Sequence, residues 1–136
     1  MIYTEDNRSI SIHIPSDARL DQLSRRDSYK EAENFFAKYA DDYLGAPYFC
    51  ESWLLSPKLK EILTETSNII SFQNDFIIDS FEPEDTGYML WVFKNEALSL
   101  EDVPQNTSLQ IKMKEYLQNG GKIGAGRGYL KSELLD

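Results

Sequence analysis

The chain has one histidine and one cysteine, His13 and Cys50, and a carboxylate, Glu51, directly after the thiol. A thiol beside an imidazole is the pairing of an activated nucleophile, in which the base removes the proton that blocks attack. A lone histidine can also contact a bound ligand. Each has a structural alternative. Cysteine is among the most buried residue types and packs as a small hydrophobe, and a lone histidine on a strand can simply be a hydrogen-bonded surface residue. A redox role for Cys50 lacks support, because no basic residue lies within three positions to lower its pKa. A second group is Arg25-Arg26-Asp27-Ser28. Arginines beside a helix N-terminus with free N–H groups can hold a phosphate. The alternative is a charged capping turn, and no glycine there lets a backbone approach a pyrophosphate.

Other patterns lead to less. Gly120-Gly121-Lys122-Ile123-Gly124-Ala125-Gly126-Arg127-Gly128 lacks the spacing of a phosphate loop, since no Gly-Lys-Ser/Thr opens a helix. It reads as a flexible turn into a terminal strand. Glu82, Glu84 and Asp85 lack the alternating ligands of a calcium loop. A single cysteine and a single histidine exclude an internal disulfide, a cysteine-based zinc cluster and a multi-histidine metal site, so no metal is expected.

These residues must be positioned by a strand, a helix and a second strand. Ile10, Ile12 and Ile14 alternate with Ser9, Ser11 and His13, which predicts a strand over 9–14 with one apolar face. Ala32, Phe35, Phe36, Tyr39, Ala40 and Tyr43 predict a helix over 28–43, capped by Asp27 or Ser28, with Glu31 completing a capping box. An aromatic-rich strand follows over 48–54. A right-handed crossover would make the two strands parallel and adjacent, with His13 and Cys50 near the carboxyl end where open α/β sheets bind ligands. Alternation places Cys50 and Ser52 on one face and Glu51 and Trp53 on the other.

Downstream, Ser56-Pro57 opens a helix to about 64, and Ser67 or Asn68 caps a second over 67–73. Strands over 76–81 and 88–93 around an acidic turn at 83–87 make a hairpin. A loop over 95–106 leads to a helix from Thr107 or Ser108 to about 118, stopped by Asn119-Gly120-Gly121, and a last strand near Arg127 to Lys131. The fold class is α/β (α+β): a mixed sheet with a βαβ unit, a β-hairpin and flanking helices, in one domain over 1–136.

Composition bounds the role. The 136 residues carry 23 acidic and 14 basic side chains, a formal charge of -9. That disfavours nucleic acid, whose affinity rests on neutralising phosphates, and an anionic membrane surface. Eight tyrosines, seven phenylalanines and two tryptophans supply a core. The absence of a long apolar run or a signal-peptide core predicts a cytoplasmic protein.

Several phrases in order resemble a known family: His13-Ile14-Pro15, Phe49-Cys50-Glu51-Ser52-Trp53-Leu54-Leu55, Ser67-Asn68-Ile69, Trp91-Val92-Phe93 and Thr107-Ser108-Leu109-Gln110. Together they resemble the GNAT-like C-terminal domain of bacterial acyltransferase-domain proteins, over about 9–130. The resemblance implies the second half of a GNAT-superfamily fold. Residues 9–14 and 48–54 would then be strands that splay between His13 and Cys50 to admit the pantetheine arm, and 28–43 the pyrophosphate helix. It implies acetyl-coenzyme A or another acyl-coenzyme A as ligand, bound near Arg25, Arg26 and Ser28. His13, Glu51 and Cys50 are the catalytic candidates. It implies a preceding acyltransferase-like domain as partner; a homodimer partner is the alternative, in a non-catalytic module. The chain departs from the superfamily in having no glycine between Arg25 and Ser28 and no tyrosine in 70–76.

Overall fold

Asp21 begins the longest helix. In the computed structural model, which describes residues 9–15, 18–94 and 99–135, its carboxylate accepts hydrogen bonds from the backbone N–H of Ser24 at 3.1 Å and the Ser24 hydroxyl at 3.0 Å. Helix α1 spans Gln22–Tyr39. It therefore starts six residues before the expected position, and Ser28 lies inside it rather than at its cap. The first inward residues are Arg25 and Tyr29, so no apolar stripe marks these turns in the sequence. Downstream, Ala32 and Phe36 pack on the core as expected, whereas Phe35 and Tyr39 are 54% and 66% exposed.

Strand β1 covers Ile10–Ser11 and β2 covers Tyr48–Ser52. They are parallel, with Ile10 opposite Tyr48 and Ser11 opposite Phe49, so β1, α1 and β2 form the expected βαβ unit. Trp53–Leu55 leaves the strand as a tight helical turn, and Ser56 caps a second such turn over Pro57–Glu61. Helix α2, Asn68–Gln73, is capped by Ser67, and strand β3 runs Phe76–Glu82.

The hairpin expected over 76–93 does not form. Tyr88–Phe93 is helix α3. Its buried residues are Tyr88, Met89, Val92 and Phe93, which is helical spacing; a short unbroken apolar run does not reveal its period in sequence. Helix α4, Ser108–Gln118, has the complete capping box of Thr107 and Gln110. Of the loop expected over 95–106, residues 95–98 lie outside the described residues, as does the polar start at Met1 to Asn7.

Strand β4, Ala125–Leu130, takes the place expected of the second hairpin strand. It inserts between β2 and β3, antiparallel to both, giving the mixed order β1-β2-β4-β3. Its glycines are needed for close approach. A Cβ at Gly126 would stand 2.1 Å from the carbonyl oxygen of Leu55, and Gly124 has φ +65° with Glu82 O 2.2 Å from a Cβ. Tyr48 and Cys50 turn one sheet face to the core, with Phe72, Leu54 and Leu55. Phe49, Glu51, Arg127 and Tyr129 occupy the other face, less deeply buried.

Candidate functional site

The sheet opens between its two parallel strands. Ile10 N–H donates to Pro47 O at 2.9 Å and Ile12 N–H to Phe49 O at 2.8 Å. Beyond that, β2 pairs only with β4 among the described residues, through Cys50 opposite Gly128 and Ser52 opposite Gly126. In a parallel ladder alternate residues direct their backbone groups to the same side. Phe49 faces β1, so Glu51 directs its N–H and C=O to that side too, past the last rung. By the same alternation Ser11 directs its backbone groups away from β2.

Beside this opening lies a cleft of about 570 Å³, between the Ile10–Pro15 run and α1. Its volume falls within the range of small-molecule sites. Ile10, Ile12, Ile14, Ala32, Phe36 and Tyr48 give it apolar walls. Ser24 and Ser28 add hydroxyls from α1, and His13 and Arg19 add polar groups at its mouth. Arg19, which no sequence pattern singles out, precedes the helix by three residues. Its side chain is 84% exposed, held loosely by Asp21 at 3.5 Å.

The six residues chosen from sequence separate into two groups. His13, Arg25 and Ser28 line the cleft; Arg26, Cys50 and Glu51 do not. His13 is exposed, with Nε2 3.2 Å from the Ser11 hydroxyl, which confirms that these two share a side of the strand. Glu51 is exposed on the open sheet face, opposite Arg127 of β4. Arg127 lies over the Phe49 ring at 5.2 Å and the Tyr129 ring at 5.9 Å. Cys50 points to the opposite, buried face with 1% exposure. Burial, aided by the neighbouring Glu51 carboxylate, pushes its thiol up to about 12. It is therefore a protonated core side chain at neutral pH, on the wrong face to meet His13.

Arg25 and Arg26 belong to the body of α1, not to a loop before it. Arg26 points outward. Arg25 points into the protein, and each of its three guanidinium nitrogens is engaged there. Nε donates to Asp75 Oδ2 at 2.9 Å, Nη2 donates to the Ser71 hydroxyl at 2.8 Å, and Nη1 donates to Leu20 O. Tyr29 donates its hydroxyl to the same Asp75 oxygen at 2.7 Å. Burial and that carboxylate hold the Tyr29 phenol well above its ordinary pKa. The Asp75 carbonyl in turn accepts from Lys131 N–H at 2.9 Å. No local pattern announces this cluster, because its side-chain bonds from α1 to Ser71 and Asp75 join residues 46 to 50 apart.

Among the described residues, no group of three His, Cys, Asp or Glu side chains is placed to hold a metal ion. No helix there is long and apolar enough to cross a membrane.

Comparison with solved structures gives the arrangement a context. An acyltransferase in complex with CoA and 10C-teicoplanin superimposes with a TM-score of 0.83 at 26% identity, over 95% of this chain and 42% of that one. An acyltransferase variant in complex with octanoyl-CoA gives 0.81 at 25% identity, over 96% and 43%. An acyltransferase in complex with decanoyl-CoA gives 0.81 at 26% identity, over 94% and 41%. The chain thus spans about two fifths of the length of these proteins. No curated protein matches its sequence. One family, the GNAT-like C-terminal domain, matches residues 1–130. With the strand order, the parallel pair and its opening already in place, this chain belongs to the GNAT-like C-terminal domain family.

Proposed function

We propose that the chain is the acyl-coenzyme A-binding domain of an N-acyltransferase. The observation that carries this reading is the opening of the β1–β2 pair beside an apolar cleft, in a fold shared with acyltransferases crystallised with CoA, octanoyl-CoA and decanoyl-CoA. The opening presents the N–H of Glu51 as a donor for an extended, amide-bearing chain or a thioester carbonyl. The isoleucine face of β1 and Phe36 supply an apolar wall for methylenes. Arg19 stands at the mouth, where its exposed guanidinium, paired with Asp21 at 3.5 Å, can turn to meet phosphate oxygens, and Ser28 adds a hydroxyl to the cleft lining.

When bound, the thioester supplies an activated carbonyl. The amine nitrogen forms a bond to that carbon, the carbon–sulfur bond breaks, and the leaving thiolate takes up a proton. His13, at the mouth, accepts the proton released by the amine; the Glu51 carboxylate on the open face is the alternative base. Cys50 has no part in these steps, and Arg26 is at most a peripheral charge. The acceptor side of the site comes from a preceding acyltransferase-like domain, and the reaction belongs in the cytoplasm.

A second reading keeps the fold and drops the ligand. Phe35 and Tyr39 are exposed on α1 with ring centroids 5.1 Å apart, and among the described residues β1 is the edge strand of the sheet, paired on one side only. Such features belong to a module that joins another domain or a second copy.

Amide-shift titrations with CoA, acetyl-CoA and decanoyl-CoA decide between them. Saturable shifts at Ser9 to Pro15, Ala18 to Ser24 and Phe49 to Ser52 are expected, weakened in Arg19→Ala. No shifts at millimolar ligand, together with a dimer in sedimentation, would replace the first reading by the second.

A further inference from the structure

We propose that Arg25 is a positioning residue for the cleft: it sets the Arg19–Asp21 turn before α1, through the Leu20 carbonyl, in the shape that receives an acyl-coenzyme A. The inference rests on the cleft being that ligand's site.

Arg25 is the point where four parts of the chain meet. Its three guanidinium nitrogens reach Leu20 O before α1, Ser71 on α2 and Asp75 at the start of β3. Through the Asp75 carbonyl the cluster also holds Lys131, the residue after β4. The side chains of Arg25 and Asp75 are 3% and 7% exposed. A buried ion pair is a weak source of stability, since apolar side chains of similar volume often serve as well. What apolar side chains cannot supply is a donor to the Leu20 carbonyl. That carbonyl belongs to the turn joining Arg19 to the Asp21 cap, and Arg19, Leu20 and Arg25 all line the cleft. Holding it fixes the direction in which Arg19 leaves the backbone. Tyr29 adds a second donor to the same carboxylate oxygen, so Asp75 is locked and holds the guanidinium plane in turn. Arg25 directs its donors to protein groups and acts through the backbone of its neighbour.

The test is the double variant Arg25→Met/Asp75→Leu, which removes both charges together and leaves neither stranded. Hydrogen exchange, urea unfolding and decanoyl-CoA affinity are measured on it and on the parent protein. The expected result is exchange roughly tenfold faster at Ser24 and Arg25, whose N–H groups both bond to Asp21, unchanged exchange in β2 and β4, and affinity weakened roughly tenfold. A purely structural role would move all protected amides together with global stability. Parental exchange at Ser24 and Arg25 in the folded variant overturns the proposal, as does faster exchange there with unchanged affinity. If the double variant does not fold, Arg25→Lys gives the same readout. A single ammonium can keep Asp75 but cannot also span Leu20 and Ser71. Parent protein that binds no acyl-coenzyme A overturns the ligand reading itself, and the exchange comparison then still decides whether Arg25 sets the turn.

Discussion

Ile12 donates its N–H to the carbonyl of Phe49 at 2.8 Å, and this is the last rung between β1 and β2 among the described residues. Two residues further, Glu51 stands on a strand that is central to the sheet on its β4 side and an edge on its β1 side. Proline is tolerated where a strand's N–H faces outward from an edge. Glu51→Pro is therefore expected to fold while deleting the donor that faces the opening. Glu51→Gln keeps the donor and removes the charge. Calorimetric titration with acyl-coenzyme A should show near-parental affinity for Gln and a loss of roughly tenfold for Pro. Equal affinity in both would remove the backbone N–H from the site.

Cys50 gives a prediction with a defined sign. Its thiol, ordinarily near 9.0, is raised to about 12 in the folded protein. Between those values the unfolded chain releases a proton that the folded chain keeps, so the unfolded state is favoured as pH rises. Stability from this group is complete below pH 9 and declines toward pH 12. Cys50→Ala should lower stability by about 1 kcal/mol at neutral pH and flatten that part of the alkaline limb in denaturant unfolding. Alkylation by iodoacetamide should require unfolding, and acyl-coenzyme A titrations of Cys50→Ala should match the parent. Fast labelling of native protein would contradict the burial argument.

Much of this fold is legible because local signals agree with tertiary structure. Ser67 caps α2, Thr107 and Gln110 box α4, and the Ile10–Ile12–Ile14 alternation marks the first strand, although of the expected 9–14 only Ile10–Ser11 pairs as strand and Ile12 and Ile14 continue as an extended run against the core. Where sequence and structure part, the deciding partners lie far along the chain. The start of α1 is hidden because its inward residue is Arg25, whose burial makes sense only beside Asp75. The opening beside Glu51 is expected from the family likeness, whereas Arg19 is unmarked because nothing about a lone surface arginine separates it from others. The glycine-rich end looks like a turn because its role, insertion between β2 and β3, is set by Leu55 and Ile77 backbone oxygens.

The run Tyr88–Phe93 departs from expectation for a different reason, and mutation separates the two conformations. A strand would put Tyr88, Leu90 and Val92 on one face. The helix exposes Leu90 at 53% and buries Val92 at 6%. Leu90→Lys should change stability by less than about 0.5 kcal/mol. Val92→Lys should lose about 3 kcal/mol or more, because its ammonium would enter the core unpaired. Thermal unfolding of the two variants checks this, and similar losses in both would point back to the strand.

Asp21 links the cap of α1 to the mouth of the cleft. The Ser24 backbone N–H and then the Ser24 hydroxyl hold its carboxyl below the ordinary aspartate value of 3.8, with a smaller push from Arg19. A lowered folded pKa stabilises the protein above the unfolded value and is lost as pH falls through the folded one. Asp21→Ser keeps an oxygen to cap the helix, so it should be nearly neutral at low pH and should reduce the stability gained as pH rises through 3.8. The same carboxylate occupies the helix terminus where an anion would dock and neutralises part of Arg19. Its removal should tighten binding of CoA by roughly two- to five-fold at low ionic strength, with the gain fading in salt. Pairing the variant with Arg19→Ala makes the interpretation specific. If Arg19 meets the phosphates, the gain from Asp21→Ser should shrink in the Arg19→Ala background. Additive effects would mean that the two residues act on separate parts of the ligand, and no gain in either background would move the phosphates away from α1.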